Sequence, residues 1–355
     1  MEKKKVLVIF GGASSEHEVS LRSATYVINS IPKDKFDVIS IGITKDGRWK
    51  LFRGDVNKLA DGSWEFDDSC VPAFVSPDSQ IHGIVIEEKD KIVYEKIDVI
   101  FPVLHGKNGE DGTIQGLFEL SKIPYVGCKT LSSAICMDKA VTHSLLTAAN
   151  IEQAHYLWFY TDRYIDNPEG AERIKTRVGA RLNFPVFVKP ANAGSSVGIS
   201  KVNSIEELDA AVIKAAKEDS KIVIEEGIVG QEVECAVMGN RDAVASTVGE
   251  IGATAEFYDY DDKYNNGTSK TYIPANLSEE KIEEIRNIAV RAYKILGCRG
   301  LSRVDFFVKK DGTVILNEIN TLPGFTSISM YPKLWEASGV CGEKLMEELI
   351  AYALK

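Results

Sequence analysis

Short apolar runs alternate along the chain with longer stretches in which apolar positions recur every third or fourth residue. That alternation predicts an α/β protein with buried parallel strands. Residues 6–10 read as a first strand, Gly11-Gly12 as a turn and the stretch after Glu18 as a helix; 36–43 and 99–103 read as further strands of the same sheet. Between them, residues 46–95 hold turns and short alternating segments such as 84–87, which predict an insertion or a hairpin layer. Near residue 128 the pattern changes. Residues 132–150 are helical in period, and 184–189 form a strand that runs into Pro190. A glycine- and serine-rich turn (191–198), a strand (199–202), a helix (206–217) and a strand (222–225) follow. From Gly227 strands dominate, at 232–238 and 245–251, and a polar, tyrosine-rich loop follows at 252–270, long enough to be a lid or binding loop. There is no internal repeat. The expected organisation is three domains, 1–127, 128–227 and 228–355.

Composition narrows the function classes. The 355 residues are 44% hydrophobic, which supplies a sizeable core and excludes disordered and collagen-like chains. The formal charge is −10, so the chain gains little from counterion release, and general nucleic-acid binding is not expected. The apolar run 6–10 is too short for the core of a signal peptide, and no stretch approaches the ~18 apolar residues of a membrane span. The expectation is a soluble, cytoplasmic protein with no membrane partner. Six cysteines are scattered without CxxC spacing, as suits a reducing compartment, and none of the five histidines is paired at the spacing of helical metal ligands. Any metal should therefore be a hard cation held by oxygen.

The strongest chemical signal is the segment from Arg303 to Asn320. Asp311-Gly312 between two apolar runs predicts a hairpin with a two-residue turn, in which Lys310 faces Thr313. That register sets Asp305 opposite Glu318 and Arg303 opposite Asn320, all on one face. Two carboxylates, an amide oxygen and a guanidinium on one otherwise apolar sheet suit Mg²⁺ with nucleotide phosphates, Arg303 meeting phosphate or developing negative charge. The plainer alternative is a solvated face with a cross-strand ion pair. Lys189-Pro190 leading into Gly194-Ser195-Ser196 lets backbone amides approach an anion, although it is neither a Walker A loop nor GxGxxG. Gly11-Gly12 through Ser20 suits a small polar ligand at a helix start, or simply a capping box of Ser15 and Glu18, which leaves Glu16 free to act. The polar loop His105 to Gly112 follows a parallel strand, where open α/β sheets bind ligands.

Taken in order, these segments resemble the D-alanine–D-alanine ligase family of ATP-grasp enzymes. The resemblance runs through GGASSEHEVSLRSA, FPVLHGKNGEDGTIQG, MDKAVT, FPVFVKPANAGSSVGISKV, IVIEEGIVGQEVECAV, EFYDYDDKY, SRVDFF and NEINTLPGFTSISMYP, nearly the whole chain. It implies a three-domain ATP-grasp fold, with an N-terminal Rossmann-like parallel-sheet domain and two α+β domains that sandwich ATP. By the same resemblance Lys139 and Lys189 reach the phosphates, Glu225, Glu226 and Ile228 border the adenine, Glu232 holds the ribose and Lys263 meets ATP. Asp305, Glu318 and Asn320 match the ligands of two Mg²⁺ (or Mn²⁺) ions. Glu16 binds the ammonium of the first D-alanine, with His105 beside its carboxylate. Ser195 and Tyr264 join Glu16 in a set that closes the lid. Arg303 and the Gly324 amide stabilise an oxyanion, and Ser329 and Met330 border the second substrate.

The implied activity is ATP-dependent joining of two D-alanines through a D-alanyl phosphate, for peptidoglycan synthesis, by a homodimer. D-Serine or D-lactate as second substrate is the alternative; the lactate type carries histidine where Tyr264 stands, and resistance types tend to carry arginine where Met330 stands. An inactive ATP-grasp nucleotide or amino-acid sensor would lack Asp305, Glu318 or Arg303, and all three are here.

Overall fold

The computed structural model describes residues 3–252 and 270–355. Its first sheet contains β1 (Lys4–Gly11), β2 (Phe36–Ile43), β3 (Trp49–Phe52), β4 (Val71–Val75), β5 (Gly83–Glu88), β6 (Lys91–Lys96) and β7 (Val99–Val103), in the order β6-β5-β4-β3-β2-β1-β7. Only β2-β1-β7 is parallel. β1 and β7 are the continuous apolar runs of the sequence, and Val6 to Phe10 are fully buried, as strands covered on both faces must be. Residues 46–95 form no separate layer. They extend the same sheet as antiparallel strands. Trp64, from this stretch, is fully buried with its ring 5.0 Å from Phe10, so the extension shares the core of β1.

The second sheet holds β8 (Tyr156–Tyr160), β9 (Val186–Pro190), β10 (Ser200–Val202) and β11 (Lys221–Glu226) in the order β10-β9-β11-β8. The third holds β12 (Gln231–Gly239), β13 (Val244–Gly252), β14 (Lys270–Tyr272), β15 (Gly300–Val308) and β16 (Val314–Asn320) in the order β14-β13-β12-β15-β16. Both are antiparallel throughout. The helix expected over 132–150 is two, Thr130–Met137 and Lys139–Ala148. Asp138 breaks it, because its Oδ1 accepts the amides of Ala140 and Val141 and so caps the second helix; its other oxygen pairs with Lys221.

The helices Met330–Ala337 and Gly342–Ala353 return to the first sheet. Leu345, Met346 and Leu349 share one buried cluster with Val6, Val8 and Leu21 of the first strand and helix, and with Met238 and Leu301 of the third sheet. A single apolar cluster thus fixes the first sheet against the third, and the loops between them inherit that rigidity.

Candidate active site

The β15–β16 hairpin carries the acidic face by a route the sequence does not show. Lys309 N–H donates to Thr313 O and Gly312 N–H to Lys309 O, both at 2.9 Å, so the turn is one residue longer than the two-residue form and Gly312 takes the left-handed conformation it needs (φ +85°). Left alone, the extra residue would turn Glu318 to the face opposite Asp305. A bulge at Asn317 undoes the shift. Val308 pairs with Val314 and Phe306 with Leu316, yet Asp305 still faces Glu318 and Arg303 still faces Asn320.

β12 adds a carboxylate that the sequence reading passed over: Glu234 lies opposite Asp305 on the other side. Its signal is the Glu232–Glu234 spacing, which puts two acids on one face of an otherwise apolar strand. Arg303 holds Asp305 in a fork, Nε to Oδ1 and Nη2 to Oδ2, each 2.7 Å, and its Nε lies 2.9 Å from Glu234 Oε2. Asn320 Nδ2 donates to Asp305 Oδ2 at 2.9 Å. The face is not solvated: Glu234 is 7% exposed and Asp305 9%. Burial alone would lower the Arg303 pKa, but Asp305 and Glu234 raise it well above its ordinary value. Two carboxylates and an amide oxygen suit a hard cation and are too few to complete its shell, which leaves positions for phosphate oxygens. Among the described residues, no group of three or more His, Cys, Asp or Glu side chains could hold a metal unaided.

Between the second and third sheets runs a cleft of about 200 Å³ whose walls include Lys139, Lys189, Glu225, Glu226, Ile228, Glu232, Asp305 and Glu318. Lys189 Nζ lies 2.5 Å from Glu225 Oε2, and His143 Nε2 lies 3.0 Å from Glu225 Oε1. Burial would raise the Glu225 pKa; Lys189 and His143 overrule it and hold the carboxyl well below its usual range. The Lys139 ammonium donates to Ala193 O at 2.6 Å, and burial depresses its pKa against the pull of Glu318.

A second cavity of about 140 Å³ adjoins the first, and the two share Gly194, Ser195, Glu234, Ile251 and Glu318. Glu16, His105, Arg303, Gly324, Ser329 and Met330 also wall it. The capping box does not form: no side chain caps the helix His17–Ser30, and Glu18 pairs instead with Lys45. Glu16 accepts a hydrogen bond from the Ser195 hydroxyl and is packed between two glycines. A Cβ on Gly106 would lie 2.3 Å from Glu16 Oε2, and one on Gly194 2.9 Å from it, so a side chain at either place would push the carboxylate aside; Gly106 also holds left-handed backbone (φ +68°), which favours glycine. Ser195 and Ser196 themselves hold left-handed backbone (φ +48° and +60°), a strained state typical of functional loops. Glu110, a further residue not singled out from the sequence, lines both this cavity and a smaller one that it shares with Lys139, Lys189 and Glu318; burial and the neighbouring Glu16 push its carboxyl up to about 8. Lys263 and Tyr264, and nearly all of the loop 252–270, lie outside the described residues.

Two antiparallel sheets clasping a lysine-lined cleft, with an acidic face at its inner end and a small polar cavity beyond, define an ATP-grasp carboxylate–amine ligase. Residues 5–128 match the family model described as D-ala D-ala ligase N-terminus and residues 145–351 the model described as D-ala D-ala ligase C-terminus. The chain is 53% identical to a D-alanine–D-alanine ligase of Acetivibrio thermocellus, over all of this chain and 96% of that one. It is 50% identical to one of Thermoanaerobacter sp., over all of this chain and 98% of the relative. Among solved structures, the VanG D-Ala:D-Ser ligase of Enterococcus faecalis superposes with a TM-score of 0.90 at 43% identity, covering 99% of this chain and 100% of that one. The D-alanine–D-alanine ligase of Coxiella burnetii superposes at 0.85 and 35% identity, covering 100% of this chain and 94% of its own. The chain belongs to the D-alanine–D-alanine ligase family.

Proposed function

We propose that this enzyme joins two D-alanines to D-alanyl-D-alanine at the expense of ATP, through a D-alanyl phosphate, and so supplies peptidoglycan precursor. The observation that carries the reading is the pair of adjoining cavities with a shared wall of Gly194, Ser195, Glu234, Ile251 and Glu318. A nucleotide in the larger one directs its γ-phosphoryl group toward an amino acid in the smaller. Lys139 and Lys189 place positive charge along the phosphates, and Glu16 takes the ammonium of the first D-alanine, whose carboxylate attacks phosphorus. Asp305, Glu318 and Asn320 would hold divalent cations, two Mg²⁺ or Mn²⁺, which would supply charge neutralisation at the phosphates. The amine of the second D-alanine then attacks the acyl carbon, and Arg303 with the Gly324 amide stabilises the tetrahedral oxyanion until phosphate leaves. Met330 and Ile251 give that amino acid an apolar wall that suits a methyl group. No protein nucleophile takes part. Among the described residues, no helix is long and apolar enough to cross a membrane.

The test is ATP-dependent phosphate release with D-alanine, with L-alanine, and with D-alanine plus D-serine or D-lactate, products being identified by mass. One dipeptide per phosphate with D-alanine alone is the expected result. A second reading, D-alanine–D-serine ligation, is favoured by the likeness to VanG; release that requires D-serine would establish it. No release in any mixture would return the chain to the nucleotide-sensor class. A further expectation follows from the crowding of Glu16. Gly106→Ala should raise the KM for D-alanine by about tenfold, ~1.4 kcal/mol, and leave the KM for ATP within about twofold. An unchanged KM for D-alanine would mean that Glu16 is not pinned by this loop.

A further inference from the structure

The loop that leaves β16 is held on one side of Gly324 by residues of the His105–Gly112 loop and on the other by Ser23 of the helix His17–Ser30. At Leu322 both polar groups of the peptide are taken: its N–H donates to Glu110 Oε1 at 3.0 Å and its carbonyl lies 2.9 Å from His105 Nδ1. Phe325 N–H donates to Ser23 Oγ at 3.1 Å, and the same hydroxyl lies 3.1 Å from His105 Nε2. A carbonyl can only accept, so Nδ1 carries the ring proton; Nε2 of the neutral ring then accepts from Ser23, whose oxygen remains free to accept from Phe325. Burial, which lowers the His105 pKa, favours this neutral ring.

Glu110 does more than hold Leu322. Its Oε2 accepts the N–H of Gly106 at 2.9 Å, and Gly106 is the residue whose Cα backs directly onto Glu16. One carboxylate therefore ties the backbone behind the Glu16 carboxylate to the backbone just before Gly324. Burial beside Glu16 and Glu318 disfavours the charged form of Glu110, and two N–H donors from two separate loops oppose that effect. We propose that Glu110 is a positioning residue for the ligation: it fixes the spacing between the Glu16 end of the small cavity and the Pro323-Gly324 end, so that an acyl carbonyl bound at one end meets the Gly324 amide at the other. The proposal rests on the ligase reading above.

The test uses the full chain and three variants. Glu110→Gln keeps one acceptor and sets an NH₂ against the other amide; Glu110→Asp is too short to reach both amides; Ser23→Ala leaves both Glu110 bonds and removes the contacts with Phe325 and His105. Steady-state kinetics for ATP and D-alanine are combined with the ratio of phosphate released to dipeptide formed. The expected result for Glu110→Gln is a kcat for dipeptide lower by about tenfold or more, a KM for ATP within about twofold of the parent, and a phosphate-to-dipeptide ratio above one, because water takes acyl phosphate that the displaced loop no longer serves. Ser23→Ala gives the same signature more weakly. An unchanged kcat and ratio in Glu110→Gln overturns the proposal, and so does a loss of kcat with both KM values moving together at a ratio of one, the mark of general structural damage. If Glu110→Gln does not fold, Glu110→Asp decides, and a parental ratio and kcat there overturn it. Failure of the unsubstituted enzyme to make dipeptide would instead sink the ligase reading, and the positioning role with it.

Discussion

Replacing Glu318 with alanine is expected to lower ATP turnover on the order of 10³-fold while the protein still folds. The size follows from charge: cation-mediated neutralisation of the phosphates is worth several kcal/mol, and each ~1.4 kcal/mol is a factor of ten. Glu318 is one of only two carboxylates among the three assigned ligands, and it stands where both cavities meet, opposite Asp305. It also supports Lys139. Burial lowers that lysine's pKa and Glu318 opposes the fall, so without Glu318 the ammonium gives up its proton at lower pH, and the basic limb of the residual pH–rate profile should move to lower pH. Glu318→Gln, which keeps an oxygen ligand, should retain more activity than the alanine variant. The measurement is ATP turnover across a Mg²⁺ titration; turnover near the parent value at any Mg²⁺ concentration would remove Glu318 from the cation site.

The acidic face shows which features a linear reading can reach. The register of a two-residue turn places Asp305 opposite Glu318, as the structure has it, although the turn is one residue longer than that register assumes. The bulge at Asn317 cancels that difference, and nothing in the local sequence announces it, because a bulge is a compromise between turn geometry and the sheet on either side. Burial of β1 and β7 was legible since a continuous apolar run has few other places to go. The break at Asp138 was not, because helical period persists on both sides and the aspartate acts only through its side chain. Residues 46–95 pair strand by strand with their neighbours in the chain, and only the pairing of β3 with β2 joins the run to the first sheet, a tertiary fact. Glu110 and Ser23 escaped for the same reason: each looks like an ordinary polar residue in a loop or helix until Leu322 and Phe325 arrive from some two hundred or more positions away (|i−j| 212 and 302).

Arg303 is where stability and catalysis are joined most tightly. Glu234, Asp305 and Glu318 stand in register across β12, β15 and β16, and Arg303 pairs with the first two. Arg303→Met keeps the length and apolar stem but leaves two buried carboxylates without their cation, and breaking such a pair from one side costs about 3–5 kcal/mol. The variant should therefore melt well below the parent, and Mg²⁺ should raise its melting temperature more than it raises the parent's, since a cation can take over part of the compensation. Dipeptide formation should fall by roughly 10²–10³, the usual loss when one oxyanion donor is removed. Adding Glu234→Gln separates the two roles. It removes one of the stranded charges, so the double variant should regain a good part of the melting temperature, yet it restores no guanidinium to the cavity and kcat should stay low. Recovery of both would make Arg303 a structural ion pair and take it out of the chemistry. An unchanged melt in the single variant would mean that the three carboxylates are compensated by something other than Arg303.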